Sequence, residues 1–220
     1  MIKKTMMSAL LIWLIPVIGC AGEFGNFDGS VQVEWLRNKN TDDREMRLIS
    51  PFNYKDPEGF TWHVPKGAII NGASIPRVLW FLGSPFIGDY REASVVHDYF
   101  YHQPRFSRKI VDEMFFSACR AGGVSAADAG AMYFTLRAKD RIFVAQARQE
   151  RLNDQKKRAQ SKAKKTNKDS PLIMAAPSMQ MKPMKEVTEE DVLSTKQWII
   201  KKNPSLEEIE ARAKKYAEGG

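Results

Sequence analysis

The hydrophobic period of this chain changes once, near Gly88, and that switch limits the folds open to it. Before the switch, Val31, Val33 and Trp35 alternate with polar neighbours, as do Phe60, Trp62 and Val64, and period two in aromatic and β-branched residues predicts strands. Asp56-Pro57-Glu58-Gly59 lies between them and carries the turn chemistry of a hairpin. Residues 30–70 therefore read as a small antiparallel sheet. After Gly88 the spacing is helical. A first helix spans about Asp89 to His102 and stops before Pro104, because a residue preceding proline is pushed out of the α region. Ser107 is placed to cap a second helix, which carries Ile110, Val111, Met114, Phe115 and Ala118 and ends at Gly122-Gly123. Ser125 is placed to cap a third, running through Met132, Tyr133, Leu136 and Phe143 and fraying into charge near Arg151. Strands followed by helices predict an α+β fold, a small sheet and then a three-helix core. The short link at 103–106 makes the first two helices antiparallel neighbours.

Both ends carry features of a different kind. Lys3 and Lys4 precede Met6 to Ile18, 13 residues without a charge, and Val17-Ile18-Gly19-Cys20 closes the segment. A hydrocarbon core needs about 20 apolar residues, so this order predicts a secretion signal and not a span. Its ending resembles the lipobox of bacterial lipoproteins, which implies a signal peptide at 1–19, diacylglycerol on Cys20 and a lipoprotein of the bacterial envelope facing the periplasm. Ala21 in place of Asp favours the outer membrane, with the inner membrane as the other destination. An ordinary signal cut after Ala21 is the alternative. Losing Lys3 and Lys4 lowers the formal charge of +8 by two, so the mature chain stays basic. The only other cysteine is Cys119, which leaves no pair for an intramolecular disulfide and reads as a small buried apolar residue.

Composition then divides the rest. Residues 20–29 are polar and glycine-containing and read as a tether, and 30–152 as the core domain. Lys156-Lys157-Arg158, Lys162 to Lys165 and a Met- and Pro-rich stretch place a disordered linker at 153–187, since such a segment buries too little apolar surface to offset its ordering entropy. Within 188–220, Thr188 to Lys201 and Ser205 to Glu218 read as two short helices, the second with a Ser205/Glu208 capping box. The basic run permits nucleic acid, but an exported lipoprotein meets little of it, so anionic head groups or plain solvation are the better partners.

One constellation carries chemistry. His97 and Tyr101, four apart, share a face of the first helix, with Asp98 turned about 100° away. Asp112 sits among Ile110, Val111, Phe115 and Phe116, and a carboxylate there needs a buried partner, because an unpaired charge would cost several kcal/mol. Across antiparallel helices that partner is His97. A carboxylate on one imidazole nitrogen fixes the tautomer and frees the other nitrogen to take a proton from water. Asp98, with carbonyls of the loop 70–76 around Asn71 and Gly72, offers oxygens for a weak calcium site.

Two resemblances follow from these residues. Val64-Pro65, Asn71-Gly72-Ala73-Ser74-Ile75-Pro76-Arg77, His97-Asp98-Tyr99-Phe100-Tyr101, Arg108, Asp112, Phe115 and Met132-Tyr133 with Arg137 resemble, over roughly 30–143, the signature of an uncharacterised domain family of phages and bacteria. More loosely, the order from Asn71 through Pro85-Phe86, His97-Asp98-x-x-Tyr101, Asp112-x-x-Phe115 and a Tyr-bearing helix is similar to the short secreted phospholipase A2 enzymes. That similarity implies a phospholipase A2-like helix pair and a calcium-dependent hydrolase of phospholipid esters. In it His97 activates water, Asp112 and Tyr101 orient the histidine, and Asp98, Asn71 and Gly72 hold calcium. The chain departs from it at Asn71, where the bacterial enzymes carry an acid, and in lacking their disulfides.

The competing expectation is a non-catalytic, phage-derived or envelope binding lipoprotein whose residues 154–220 recruit a protein. No Gly-x-Ser-x-Gly elbow, His-Glu-x-x-His, phosphate-cradling loop or zinc-type Cys pair is present. Three histidines, His63, His97 and His102, are too few for a metal phosphohydrolase. Ser74 has no base that spacing assigns to it. Trp80, Phe81, Phe86 and Ile87 read as core packing in preference to a lipid-facing rim.

Overall fold

The computed structural model describes residues 22–36, 45–72, 74–82, 87–166 and 186–219. Residues 1–19, Cys20, Pro85-Phe86 and the part of the linker from 167 to 185 lie outside them. Among the described residues six strands precede five helices: β1 Asn26–Asp28, β2 Val33–Trp35, β3 Met46–Leu48, β4 Phe52–Lys55, β5 Thr61–Val64 and β6 Ile69–Ile70. A 3-10 turn at Arg77–Leu82 then leads to α1 Arg91–Tyr101, α2 Arg108–Ala121, α3 Ala126–Thr166, α4 Glu189–Lys202 and α5 Leu206–Ala217. The fold is α+β.

The strands form two antiparallel sheets, β1-β4-β5 and β2-β3-β6, where a single sheet is expected from the sequence. The split falls at Ile49-Ser50-Pro51 between β3 and β4. Proline has no N–H to give a ladder, so the chain leaves one sheet there and enters the other. β1 lies in the stretch expected to be a tether. Its Phe27 stacks on Phe52 at 5.6 Å and pairs across the ladder with Tyr54, apolar contacts that hold this end on the sheet. The Asp56 turn joins β4 to β5 as expected, with the carboxylate accepting from the Phe60 N–H at 2.8 Å and Trp62 Nε1 at 2.9 Å.

Both sheets turn Leu48, Phe52, Tyr54, Val64 and Ile70 toward one core, where Trp62 meets Phe100 of α1 edge-on at 5.0 Å. The helix ends follow their caps. Ser107 accepts from the Ile110 N–H, Ser125 from Asp128, and Thr188/Asp191 and Ser205/Glu208 form capping boxes. α3 is the departure: 41 residues long, it runs through 153–166, which composition assigns to the linker. Lys, Arg, Gln and Ala are strong helix formers, so a run too polar to bury still continues a helix already nucleated. Phe81 and Ile87 are exposed, whereas Leu79 beside them is buried. Cys119 is buried and free, and burial pushes its thiol pKa well up.

Candidate functional site

α1 and α2 are antiparallel. Asp112 meets His97, and Arg108 lies over the Tyr101 ring at 4.9 Å, so a step of four along one helix matches a step of four back along the other. Between them the His97 imidazole is fully buried, its Nε2 2.9 Å from Asp112 Oδ1 and its Nδ1 3.1 Å from Ser74 Oγ. The second Asp112 oxygen accepts from Arg137 Nη1 of α3 at 2.9 Å. A carboxylate gripped by a guanidinium is an acceptor, so Nε2 donates to Asp112, and in the neutral ring that assigns Nδ1 the lone pair facing the Ser74 hydroxyl. Tyr101 packs its ring 5.3 Å from that of His97. Burial pushes the Tyr101 phenol above its usual range, against the opposing pull of Arg108, so it is a neutral wall.

Asp98 faces the other way. Its Oδ2 accepts from the backbone N–H groups of Asn71 at 2.8 Å and Gly72 at 3.2 Å, and its Oδ1 from that of Ser74 at 3.2 Å. Gly72 takes φ 68°, a left-handed angle that turns successive N–H groups inward. At Asn71, Gly72 and Ser74 the loop offered for calcium thus presents N–H donors to this carboxylate, while Ala73 lies outside the described residues. The Asp98 carboxylate, offered with Asn71 and Gly72 for calcium, is committed to three N–H donors, and those bonds lend no support to a cation there. What Asp98 does here is fold the loop back on α1 and set Ser74 against His97.

Behind Asp112 the charges alternate. Arg137 also bonds Asp140 at 3.3 Å and, through Nε, Glu210 of α5 at 2.9 Å, and Glu210 in turn receives Arg141 and the Tyr133 hydroxyl. Burial alone would lower the Arg137 pKa, but its bonds to Glu210 and Asp112 outweigh it and raise it. Burial would likewise raise Glu210, yet Arg137 and Arg141 hold its carboxyl below the usual range. α5 is thereby tied to the dyad through one guanidinium, a link that no spacing in the sequence announces.

Ser74, Tyr101, Arg108, Leu136, Lys139 and Phe143 line a cleft of about 250 Å³. His97 does not line it. Its connection to the cleft runs through the hydroxyl of Ser74, the residue to which spacing assigns no base. Arg108, Lys139 and Asp140 all lie on its wall, with Arg108 bonded to Asp140 at 2.9 Å, so the mouth carries one more cation than anion, while Leu136 and Phe143 are its apolar side.

Residues 46–136 match the model of a family described as "Protein of unknown function (DUF1353)". The matched span contains Ser74, His97, Asp98 and Asp112 and stops one residue short of Arg137. Two uncharacterized proteins of Sinorhizobium fredii (strain NBRC 101917 / NGR234) are similar. One, y4jT, is 36% identical over 115 residues, 51% of this chain and 33% of its own length; the other, y4iH, is 30% identical over 90 residues, 40% and 38% respectively. The chain thus spans roughly a third of the length of the curated relatives it matches. No solved structure matches it.

Proposed function

We propose that the chain is an envelope lipoprotein that hydrolyses carboxylic esters of the phospholipid type, with His97 as general base and Asp112 as the group that orients it. The observation carrying this reading is the buried His97 Nε2 to Asp112 Oδ1 bond of 2.9 Å, which leaves Nδ1 facing the hydroxyl of Ser74 on the cleft wall. That arrangement serves proton abstraction. The cleft supports an anionic ester: Arg108 and Lys139 suit a phosphate, and Leu136 and Phe143 suit an acyl chain. Lipid on Cys20 would hold the enzyme at the bilayer that supplies such substrates. The loop polarity at Asp98 gives no support to calcium, and no step here is routed through a metal.

The test is release of fatty acid from phosphatidylglycerol mixed micelles by the full chain in detergent, assayed in chelator and with added calcium. His97→Gln should lower the rate by at least about 100-fold, the scale of a lost general base. Unchanged release by the variant would end the hydrolase reading, and release that needs calcium would reinstate a metal at the site. A second reading, a non-catalytic binding lipoprotein, draws support from one feature. The chain His97, Asp112, Arg137, Glu210 is fully hydrogen-bonded, as a structural polar network is. An inactive wild type that still docks an envelope protein through 154–220 would favour it.

A further inference from the structure

We infer that Ser74 is the nucleophile of this site, so that ester cleavage passes through an acyl-serine and not through direct attack by water; this rests on the hydrolase reading above. Three observations place Ser74 in that role. Its Oγ is 3.1 Å from His97 Nδ1, the nitrogen left with a lone pair once Nε2 donates to Asp112. Ser74, 8% exposed, is on the wall of the cleft, while the imidazole is fully buried and is not. Its backbone is fixed by the Ser74 N–H to Asp98 Oδ1 bond of 3.2 Å, beside the bonds of Asn71 and Gly72 to the same carboxylate. A water reaching His97 from the cleft would have to displace the hydroxyl already bonded to it. The serine, the imidazole and the Asp112 carboxylate form the ordered set of a nucleophile, its base and the group that orients the base.

The step balances without a further reagent. The Ser74 Oγ lone pair forms a bond to the ester carbonyl carbon, and its proton passes to His97 Nδ1, with the imidazolium held by Asp112. Collapse of the tetrahedral adduct breaks the bond to the alkoxy oxygen, which takes the proton from Nδ1 and leaves as an alcohol. Water then attacks the acyl-serine, gives its proton to Nδ1, and the acid departs as that proton returns to Oγ. Lys139, and Arg108 through the N–H groups not bonded to Asp140, are the charged donors on the same cleft that serve the oxyanion.

The experiment treats the full chain in detergent with a fluorophosphonate, followed by peptide mapping, and compares turnover of an ester substrate by the wild type and by Ser74→Ala. The expected result is one phosphonyl group per chain on Ser74, labelling slowed at least about tenfold by His97→Gln, and turnover reduced about 1000-fold or more in Ser74→Ala with KM little changed. If the wild type hydrolyses ester but Ser74 takes no label, and Ser74→Ala keeps more than about a tenth of the turnover, water is the nucleophile; the covalent step then falls while the His97 base stands. Neither labelling nor hydrolysis by the wild type overturns both. Mapping the adduct on the unaltered chain decides the matter even where Ser74→Ala fails to fold.

Discussion

Replacing Asp98 with alanine separates two roles for this carboxylate that predict opposite changes in stability. In the structure Asp98 is nearly buried and accepts three backbone N–H bonds, from Asn71, Gly72 and Ser74. An unsatisfied buried donor costs about 1–3 kcal/mol. Gly72 and Ser74 are buried and Asn71 is partly exposed, so relaxation of the loop into water recovers part of the loss. A net cost of about 3 kcal/mol follows from the three. At roughly 2–4 °C per kcal/mol for a chain of this size, Asp98→Ala should lower Tm by about 6–12 °C. The assay is thermal unfolding by near-ultraviolet circular dichroism in chelator, repeated with millimolar calcium. A carboxylate kept for a cation behaves otherwise, because in chelator its removal relieves charge and leaves Tm unchanged or higher. A Tm within about 2 °C of wild type in chelator would refute the clamp, as would a calcium-dependent rise in wild-type Tm that Asp98→Ala abolishes.

Two further expectations use the same melting assay. Glu210→Ala should cost about 3 kcal/mol, because it removes the Nε partner of the buried Arg137; a change under 1 kcal/mol would mean that α5 is not fastened there. Since the folded Glu210 pKa is depressed, its contribution is complete above the ordinary value of about 4.3 and disappears as pH falls through the lower folded value, so the gap between wild type and Glu210→Gln should close only in acid. Gly122→Ala would put a Cβ 2.2 Å from the Asp89 backbone oxygen, and displacing backbone there should cost about 2 kcal/mol. A melting point within 1 °C of wild type would show that the α2 terminus does not pack so closely on the turn before α1.

The parts of this molecule that the sequence exposes are those fixed by local pattern. Helix ends at Ser107, Ser125, Thr188 and Ser205 are short-range hydrogen bonds between residues three apart, so reading along the chain finds them. Asp112 points to His97 because its neighbours are apolar and the intervening link is short. What the sequence conceals depends on contacts across the fold. Ser74 acquires a base only because Asp98 pulls the loop 71–74 back onto α1, and that in turn depends on which polarity the loop presents, which residue types do not encode. Glu210 belongs to another helix, and its partner Arg137 lies on α3, so no spacing joins them. The split of the sheets at Pro51 and the strand around Phe27 were hidden for a simpler reason, since composition in a window of ten residues averages away single prolines and aromatics.

The ion chain itself bears on the choice between a catalytic and a structural site. A buried pair such as Asp112 and Arg137 is a weak source of stability, because desolvating two charges consumes most of what their attraction returns, and apolar residues of equal volume usually serve as well or better. Apolar packing is already present at this position, where the buried Phe115 ring lies 4.8 Å from that of His97. Stability alone therefore gives little reason for charge at this position. Orientation gives a stronger one. With Arg137 on Oδ2 and His97 on Oδ1, the carboxylate plane cannot rotate without breaking a bond, so the imidazole is held in one tautomer with Nδ1 aimed at Ser74. Glu210 fixes the Arg137 guanidinium from the far side, so α5 holds this arrangement from outside the residues that match the family model. On the proposed reading a substrate would meet this set through Ser74, the one of these residues on the wall of the cleft.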